Sequence, residues 1–281
     1  MSTKKRINGF ELEPTLSQAL GNNISFDTFM DLEGEVFRAV VDRRTLRFEV
    51  NERGYFIKIH QGVGWKEIFK NLIQLRLPVL GASNEYHAIK HLTELGVETM
   101  RLAGYGCRGL NPARLQSFVI TDELQETVTL EEFSQDWHKK PPQLQFKRAL
   151  IKHIAETAKK MHENGINHRD FYICHFNLRA DSKTTEDLHL YLMDLHRAQI
   201  RKRTPVRWII KDIAGIYFSS MDLGLTRRDY LRFVRSYRGL PLSQVFRDEK
   251  RFWKRVESKA KKLYIRHQAR IKKLYGDEGL P

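Results

Sequence analysis

The apolar periodicity of this 281-residue chain changes once, near residue 122, which limits the fold to a β-rich portion followed by a helical one. Residues 36–41 (VFRAVV), 46–50 (LRFEV) and 55–60 (YFIKIH) are short, rich in β-branched and aromatic side chains, and separated by polar turns, which predicts a three-stranded antiparallel meander. Residues 83–95 place Tyr86, Ile89, Leu92 and Leu95 at three-residue steps behind Ser83 as N-cap, predicting a helix that stops at Gly96. Two more strands are expected at 97–103 and 116–121, flanking the turn-forming GYGCRGLNPAR. Beyond DELQE the pattern predicts helices at 128–137 and, after Pro141-Pro142, at 143–164. A β-hairpin is expected from 173–178 and 188–195, then helices at 208–221, 226–238, 243–246 and 248–274. The reading is α+β with two lobes. Residues 1–122 form a small antiparallel-sheet lobe with one main helix, and 123–281 form a larger, mostly helical lobe.

Charge narrows the partners. The chain has 49 Lys plus Arg against 34 Asp plus Glu, a formal net charge of +15, so its surface attracts anions. A phosphorylated glycolipid, an anionic membrane surface or an acidic protein each fits, and nucleic acid ranks low because no recognised binding motif is present. Cys107 and Cys174 lack metal-ligand spacing and predict neither a disulfide framework nor zinc. The opening MSTKKRINGFELEP has no secretory apolar stretch and no segment offers the ~20 apolar residues of a spanning helix, so a cytoplasmic location is expected.

Residues 168–175, HRDFYICH, stand between the long helix and the hairpin and resemble the protein-kinase catalytic loop H-R-D-x-x-x-x-N. An Asp after His-Arg is ordinarily a turn residue, so its setting carries the weight. Phosphoryl transfer needs a carboxylate that orients the attacking hydroxyl and takes its proton, the role read for Asp170, with Arg169 counted beside it. Transfer also needs ligands holding Mg²⁺ against the phosphates of ATP. Asp194, in LYLMDLH, stands where the Asp of D-F-G would, and His175 occupies the position of the kinase Asn. Lys58 in YFIKIH resembles the phosphate-pairing lysine of V-A-I-K, with Glu85 on the following helix as its partner. The plainer alternatives are a solvated strand lysine, a surface carboxylate and a core histidine. The G-x-G-x-x-G loop, D-F-G and A-P-E are missing, which disfavours a conventional protein kinase; Arg43 and Arg44, in AVVDRRT, offer charge where the glycine loop would offer backbone.

HRD with FYICH, then MDLHRAQ, WIIKDIAGIYFSS and GLTRRDYLRF, together with RTLRFE and YFIKIHQG, resemble the lipopolysaccharide core heptose(I) kinase family over about residues 30 to 240. The resemblance implies a protein-kinase-like fold and an ATP-dependent sugar kinase. Its acceptor would be the first inner-core heptose of a lipopolysaccharide core glycolipid, on the cytoplasmic face of a Gram-negative inner membrane. By the same resemblance Asp170 is the base, Asp194 and His175 form the metal side, Lys58 and Glu85 anchor the nucleotide, and Asp212 braces the catalytic loop. Fold alone does not choose the acceptor, so another inner-core sugar, a small molecule, a protein tyrosine, or a non-catalytic binding module stay open. Residues 247–274 carry twelve Lys or Arg and three acids. This stretch reads either as an amphipathic helix packed through Trp253, Val256, Ala260 and Leu263 or, with Arg201, Lys202 and Arg203, as a dock for anionic lipid.

Overall fold

Period-two alternation in the first hundred residues does build a sheet, with each face claimed by different helices. The structure, a computed structural model, describes residues 9–21, 23–40, 43–73, 78–182 and 184–276. The predicted strand's last residue, 41, lies outside these. The chain divides into two compact units.

The first unit comprises, among the described residues, those up to Glu94, Thr99–Gln125 and Asp194–Arg197. Its elements are β1 (Gly9–Leu12), α1 (Pro14–Leu20), α2 (Phe26–Met30), β2 (Glu35–Val40), β3 (Arg43–Val50), β4 (Arg53–His60), α3 (Gly64–Ile73), α4 (Ser83–Glu94), β5 (Leu102–Arg108) and β6 (Gln116–Asp122). The six strands form one antiparallel sheet in the order β1-β5-β6-β4-β3-β2. On one face Leu46, Ile57, Ile59, Phe118 and Ile120 pack against Leu16, Phe26, Phe29 and Met30. Each fully buried Phe or Ile there contributes about 1.5–3 kcal/mol. The opposite face carries Tyr105, Cys107 and Val119 beneath Ala82 and Tyr86, with the Tyr86 ring stacked on Tyr105. Lys58 lies between Ile57 and Ile59, so strand alternation turns it to that second face.

The second unit comprises Leu95–Glu98, Glu126–Met193 and the residues from Ala198 onward. It holds β7 (Thr127–Thr129), α5 (Leu130–Ser134), α6 (Leu144–Glu163), β8 (Ile166–Asn167), β9 (Phe176–Arg179), β10 (Leu190–Leu192), β11 (Gln199–Ile200), α7 (Val206–Ser219), α8 (Arg227–Arg238), α9 (Leu242–Asp248) and α10 (Lys250–Tyr275). The strands make two small antiparallel sheets, β10-β9-β7 and β11-β8. After α6, Gly165 turns the chain into β8 with φ 77°, and a Cβ there would stand 1.8 Å from the Arg201 carbonyl oxygen, so only glycine fits. α10 packs on α7, and its Trp253, Val256 and Ala260 are buried. Leu263 is half-buried, and most side chains from Ile265 to Tyr275 are exposed. The amphipathic-packing reading thus describes the first half of α10, while the basic second half faces solvent.

Three sequence expectations are corrected, among them the hairpin, whose first strand begins at Phe176 after a 3₁₀ turn at Ile173–His175 and whose second is Leu190–Leu192. The helix expected at 128–137 is instead β7 followed by the short α5, because Thr129 and Glu132 form a capping box that starts the helix late. The strand expected at 97–103 is β5, displaced to Leu102–Arg108.

Candidate active site

The predicted catalytic loop is fixed by a single buried carboxylate. β8 delivers the chain to His168, and Asp212, fully buried on α7, accepts hydrogen bonds from the backbone N–H of His168 (2.7 Å) and of Arg169 (2.8 Å). Arg169 itself has a left-handed backbone, φ 77°, an arrangement that costs about 1–3 kcal/mol and is held only where surrounding contacts impose it. His162, also buried, lies 3.4 Å from the same carboxylate and meets the Tyr237 hydroxyl through Nδ1 at 2.9 Å.

The rest of the loop is tied down at three further points. Ile173 N–H donates to Ser219 Oγ at 3.1 Å, and His168 Nε2 lies 2.9 Å from the Met193 carbonyl oxygen. His175 Nδ1 stands 2.7 Å from the Asp170 carbonyl oxygen. A carbonyl only accepts, so Nδ1 carries a proton in this contact. α7 approaches closely: a Cβ on Gly215 would lie 2.7 Å from the Phe171 carbonyl oxygen. The outcome is a rigid presentation of Asp170, whose Oδ1 lies 3.7 Å from Lys211 Nζ. Lys211 was not anticipated from sequence, where its neighbour Asp212 drew attention in KDIAG. It brings a cation to the carboxylate, the charge a transferring phosphoryl group needs. Arg169 stacks its guanidinium over the Trp208 ring at 5.3 Å, a packing contact.

The first unit holds the other group. Lys58 Nζ donates to Glu85 Oε1 at 2.6 Å, and the Glu85 carboxylate is buried, so it is not the solvated helix residue of the plainer reading. Lys58 also stands 4.0 Å from Asp194 Oδ1, which lies beside His196 Nδ1 as well. The strand expected through 195 stops at Leu192, and Asp194 itself adopts φ 57°. Left-handed Asp is tolerated better than most residues and clusters at functional sites. Lys58, Glu85 and Asp194 thus form one group, and Arg169, Asp170, His175 and Asp212 the other, one in each unit. Arg43 and Arg44 are found within β3 rather than in a turn, and Arg44 Nη2 donates to the Met30 carbonyl at 2.6 Å.

Asp194 and His175 differ in their donor chemistry toward Mg²⁺. Asp194 offers a half-buried hard carboxylate on a constrained backbone, which fits an ion that takes one or two carboxylates and completes its shell with phosphate oxygens and water. His175 offers Nε2, a donor less suited to Mg²⁺ than oxygen. No group of three or more His, Cys, Asp or Glu arranged for a metal is present among the described residues.

His60, two residues beyond Lys58 on the same strand, is buried. Desolvation, with Arg43, Lys58 and His196 nearby, pushes its imidazole from 6.5 down to about 3. The unfolded chain therefore binds a proton near pH 6.5 that the folded chain refuses. His60's contribution to stability is complete above pH 6.5 and is lost at about 1.4 kcal/mol per pH unit below it. Urea denaturation at pH 7.5 and 5.5 should show a loss that is smaller by about that amount in His60→Leu; an equal loss in both proteins contradicts the assignment.

The family model for the lipopolysaccharide kinase (Kdo/WaaP) family matches residues 27–237. The lipopolysaccharide core heptose(I) kinase WaaP of Pseudomonas aeruginosa is 50% identical over 267 residues, covering 95% of this chain and 98% of the relative. Its counterpart from Escherichia coli K12 is 46% identical over 259 residues, covering 92% and 98%. A solved structure of WaaP in complex with acyl carrier protein superposes with a TM-score of 0.79 at 46% identity, over 91% of this chain and 99% of that one.

Proposed function

Because the chain belongs to the lipopolysaccharide kinase (Kdo/WaaP) family, we propose that it transfers the γ-phosphate of ATP to the first heptose of the lipopolysaccharide inner core, with Asp170 as base. The observation that carries the residue roles is the pair of backbone hydrogen bonds to Asp212, which holds the loop rigid around Asp170. A base must meet its hydroxyl within hydrogen-bond reach, and a fixed loop provides that geometry before substrate arrives. Asp170 orients the heptose hydroxyl and accepts its proton, and Lys211 balances charge at the moving phosphoryl group. Arg169 keeps the loop in place through its backbone and its stacking on Trp208. Lys58, held by Glu85, pairs with the nucleotide phosphates. Asp194 would hold Mg²⁺, with His175 the subsidiary candidate ligand, and the ion would supply positive charge against the triphosphate.

Lys58 supplies the test of this reading. In Lys58→Ala, KM for ATP should rise about tenfold or more and kcat should fall, while the KM for the glycolipid acceptor changes little. Unaltered ATP dependence would remove Lys58 from the nucleotide site.

The same reading extends to partners. The solved relative was captured with acyl carrier protein, and a net charge of +15 suits an acidic partner of that kind. Within the second unit an apolar cavity of about 510 Å³, lined by Leu150, Ile154, Ile213, Ile216, Val234 and Trp253, has the size and lining of a site for an apolar group such as an acyl chain. The exposed basic turns of α10, with Arg201, Lys202 and Arg203, suit either that acidic partner or anionic lipid at the cytoplasmic face of the inner membrane. No helix among the described residues is long and apolar enough to cross a membrane, so the enzyme in this reading meets the bilayer peripherally.

A further inference from the structure

α3 is amphipathic in the wrong sense for a helix of a soluble domain. Its one buried side chain is Ile68, while Trp65, Phe69, Leu72 and Ile73 are 51%, 57%, 47% and 83% exposed. Trp65, Phe69 and Ile73 follow one another at four-residue steps and Leu72 lies beside them, so they form one continuous stripe, with the Trp65 and Phe69 rings 5.9 Å apart. Lys66 and Lys70, both exposed, occupy the adjoining row, Lys70 paired with Glu67 at 3.1 Å. The helix is seated on the turn at Pro112–Arg114, which adds Arg114 to the same region. The unit already has a full core on both sheet faces, so the stripe is not material left over from packing.

We propose that α3 is a membrane-docking helix whose apolar stripe enters the interfacial layer of an anionic bilayer. An aromatic and aliphatic stripe bordered by lysines is the composition of an interfacial helix: the rings and Leu/Ile enter the headgroup–acyl boundary, and the ammonium groups reach lipid phosphates. A second copy of the chain fits worse. Two copies, each with a net charge of +15, repel, and the four side chains expose on the order of 400 Å² of apolar surface, about half of what one partner contributes to a stable interface. The choice of a bilayer as occupant rests on the proposed reaction, whose acceptor is a glycolipid. Docking through α3 would place the enzyme on the surface that carries its substrate.

The test is co-sedimentation of the full chain with vesicles of phosphatidylethanolamine and phosphatidylglycerol, comparing wild type with the double variant Trp65→Gln/Phe69→Gln. In parallel, both proteins are assayed for ATP-dependent phosphorylation of lipid-free core oligosaccharide. Vesicle affinity should fall about tenfold or more in the variant, with oligosaccharide phosphorylation unchanged. Sedimentation of the variant equal to wild type would place docking elsewhere, for instance on α10, and overturn the proposal. So would a wild type that stays in the supernatant, or one that elutes as a dimer and becomes monomeric in the variant. If vesicle binding differs as expected but neither protein phosphorylates oligosaccharide, the docking surface stands and the heptose reading fails.

Discussion

Asp170→Ala should lower phosphoryl transfer by about a thousandfold while leaving ATP binding and the melting temperature near wild type. A positioned base contributes on the order of 10²–10⁴ in rate, and loss of the carboxylate removes both proton acceptance and hydroxyl orientation. The loop should survive because its anchors lie elsewhere: Asp212 holds the amides of His168 and Arg169, Ser219 holds that of Ile173, and His175 bonds the Asp170 backbone carbonyl, which alanine retains. Steady-state kinetics, nucleotide titration and thermal melting together check this. A non-catalytic scaffold would instead show no change in any function of the protein on this substitution.

The second large effect is expected at Asp212, and it appears first in stability. Asp212→Ala leaves two buried backbone N–H groups without their acceptor, at roughly 1–3 kcal/mol each, so unfolding free energy should fall by about 2–6 kcal/mol. Transfer should fall with it, by about a hundredfold, since Asp170 then samples positions away from the acceptor hydroxyl. Asp212→Asn should recover only part of both losses, because one of its two side-chain positions is a donor facing an N–H. Urea denaturation and kinetics measured on the same preparations distinguish this from Asp170→Ala, which should separate activity from stability. Unfolding unchanged in Asp212→Ala would mean that the loop is held by other contacts.

Much of the first unit was legible because its strands carry one face each. Alternation in YFIKIH identifies β4 and, by the same period, assigns Lys58 to the face opposite Ile57 and Ile59. β5 was misplaced for a physical reason. Gly104 and Gly106 read as turn residues, yet a Cβ at Gly104 would stand 2.7 Å from Leu12 Cδ2 and one at Gly106 2.5 Å from Phe118 Cε1. These glycines are small because neighbouring side chains cross them, a tertiary constraint that no local pattern reports. β1, four residues at the sheet edge, and α1 and α2, short and capped by Glu13 and Ser25, fall below the length at which periodicity speaks.

The candidate site was legible where a motif fixes residue type and order, as in HRDFYICH and KDIAG. It was illegible where geometry alone decides. Lys211 reaches Asp170 only because α7 lies against the loop, an approach that Gly215 permits. Asp194 read as the end of a strand, but its left-handed backbone takes it out of the β10 ladder and leaves it 4.0 Å from Lys58. α3 is not among the elements expected from sequence; its GWKEIFKNLI has apolar residues at helical spacing, but spacing cannot say that the apolar side faces outward.

The most direct measurement is transfer of labelled γ-phosphate from ATP by the wild-type chain to inner-core lipopolysaccharide that carries heptose but lacks heptose phosphate, beside the same glycolipid without heptose. A heptose kinase labels the first and leaves the second unlabelled. Equal labelling of both, or no labelling by folded protein that binds ATP, would contradict the assignment of the first heptose as acceptor.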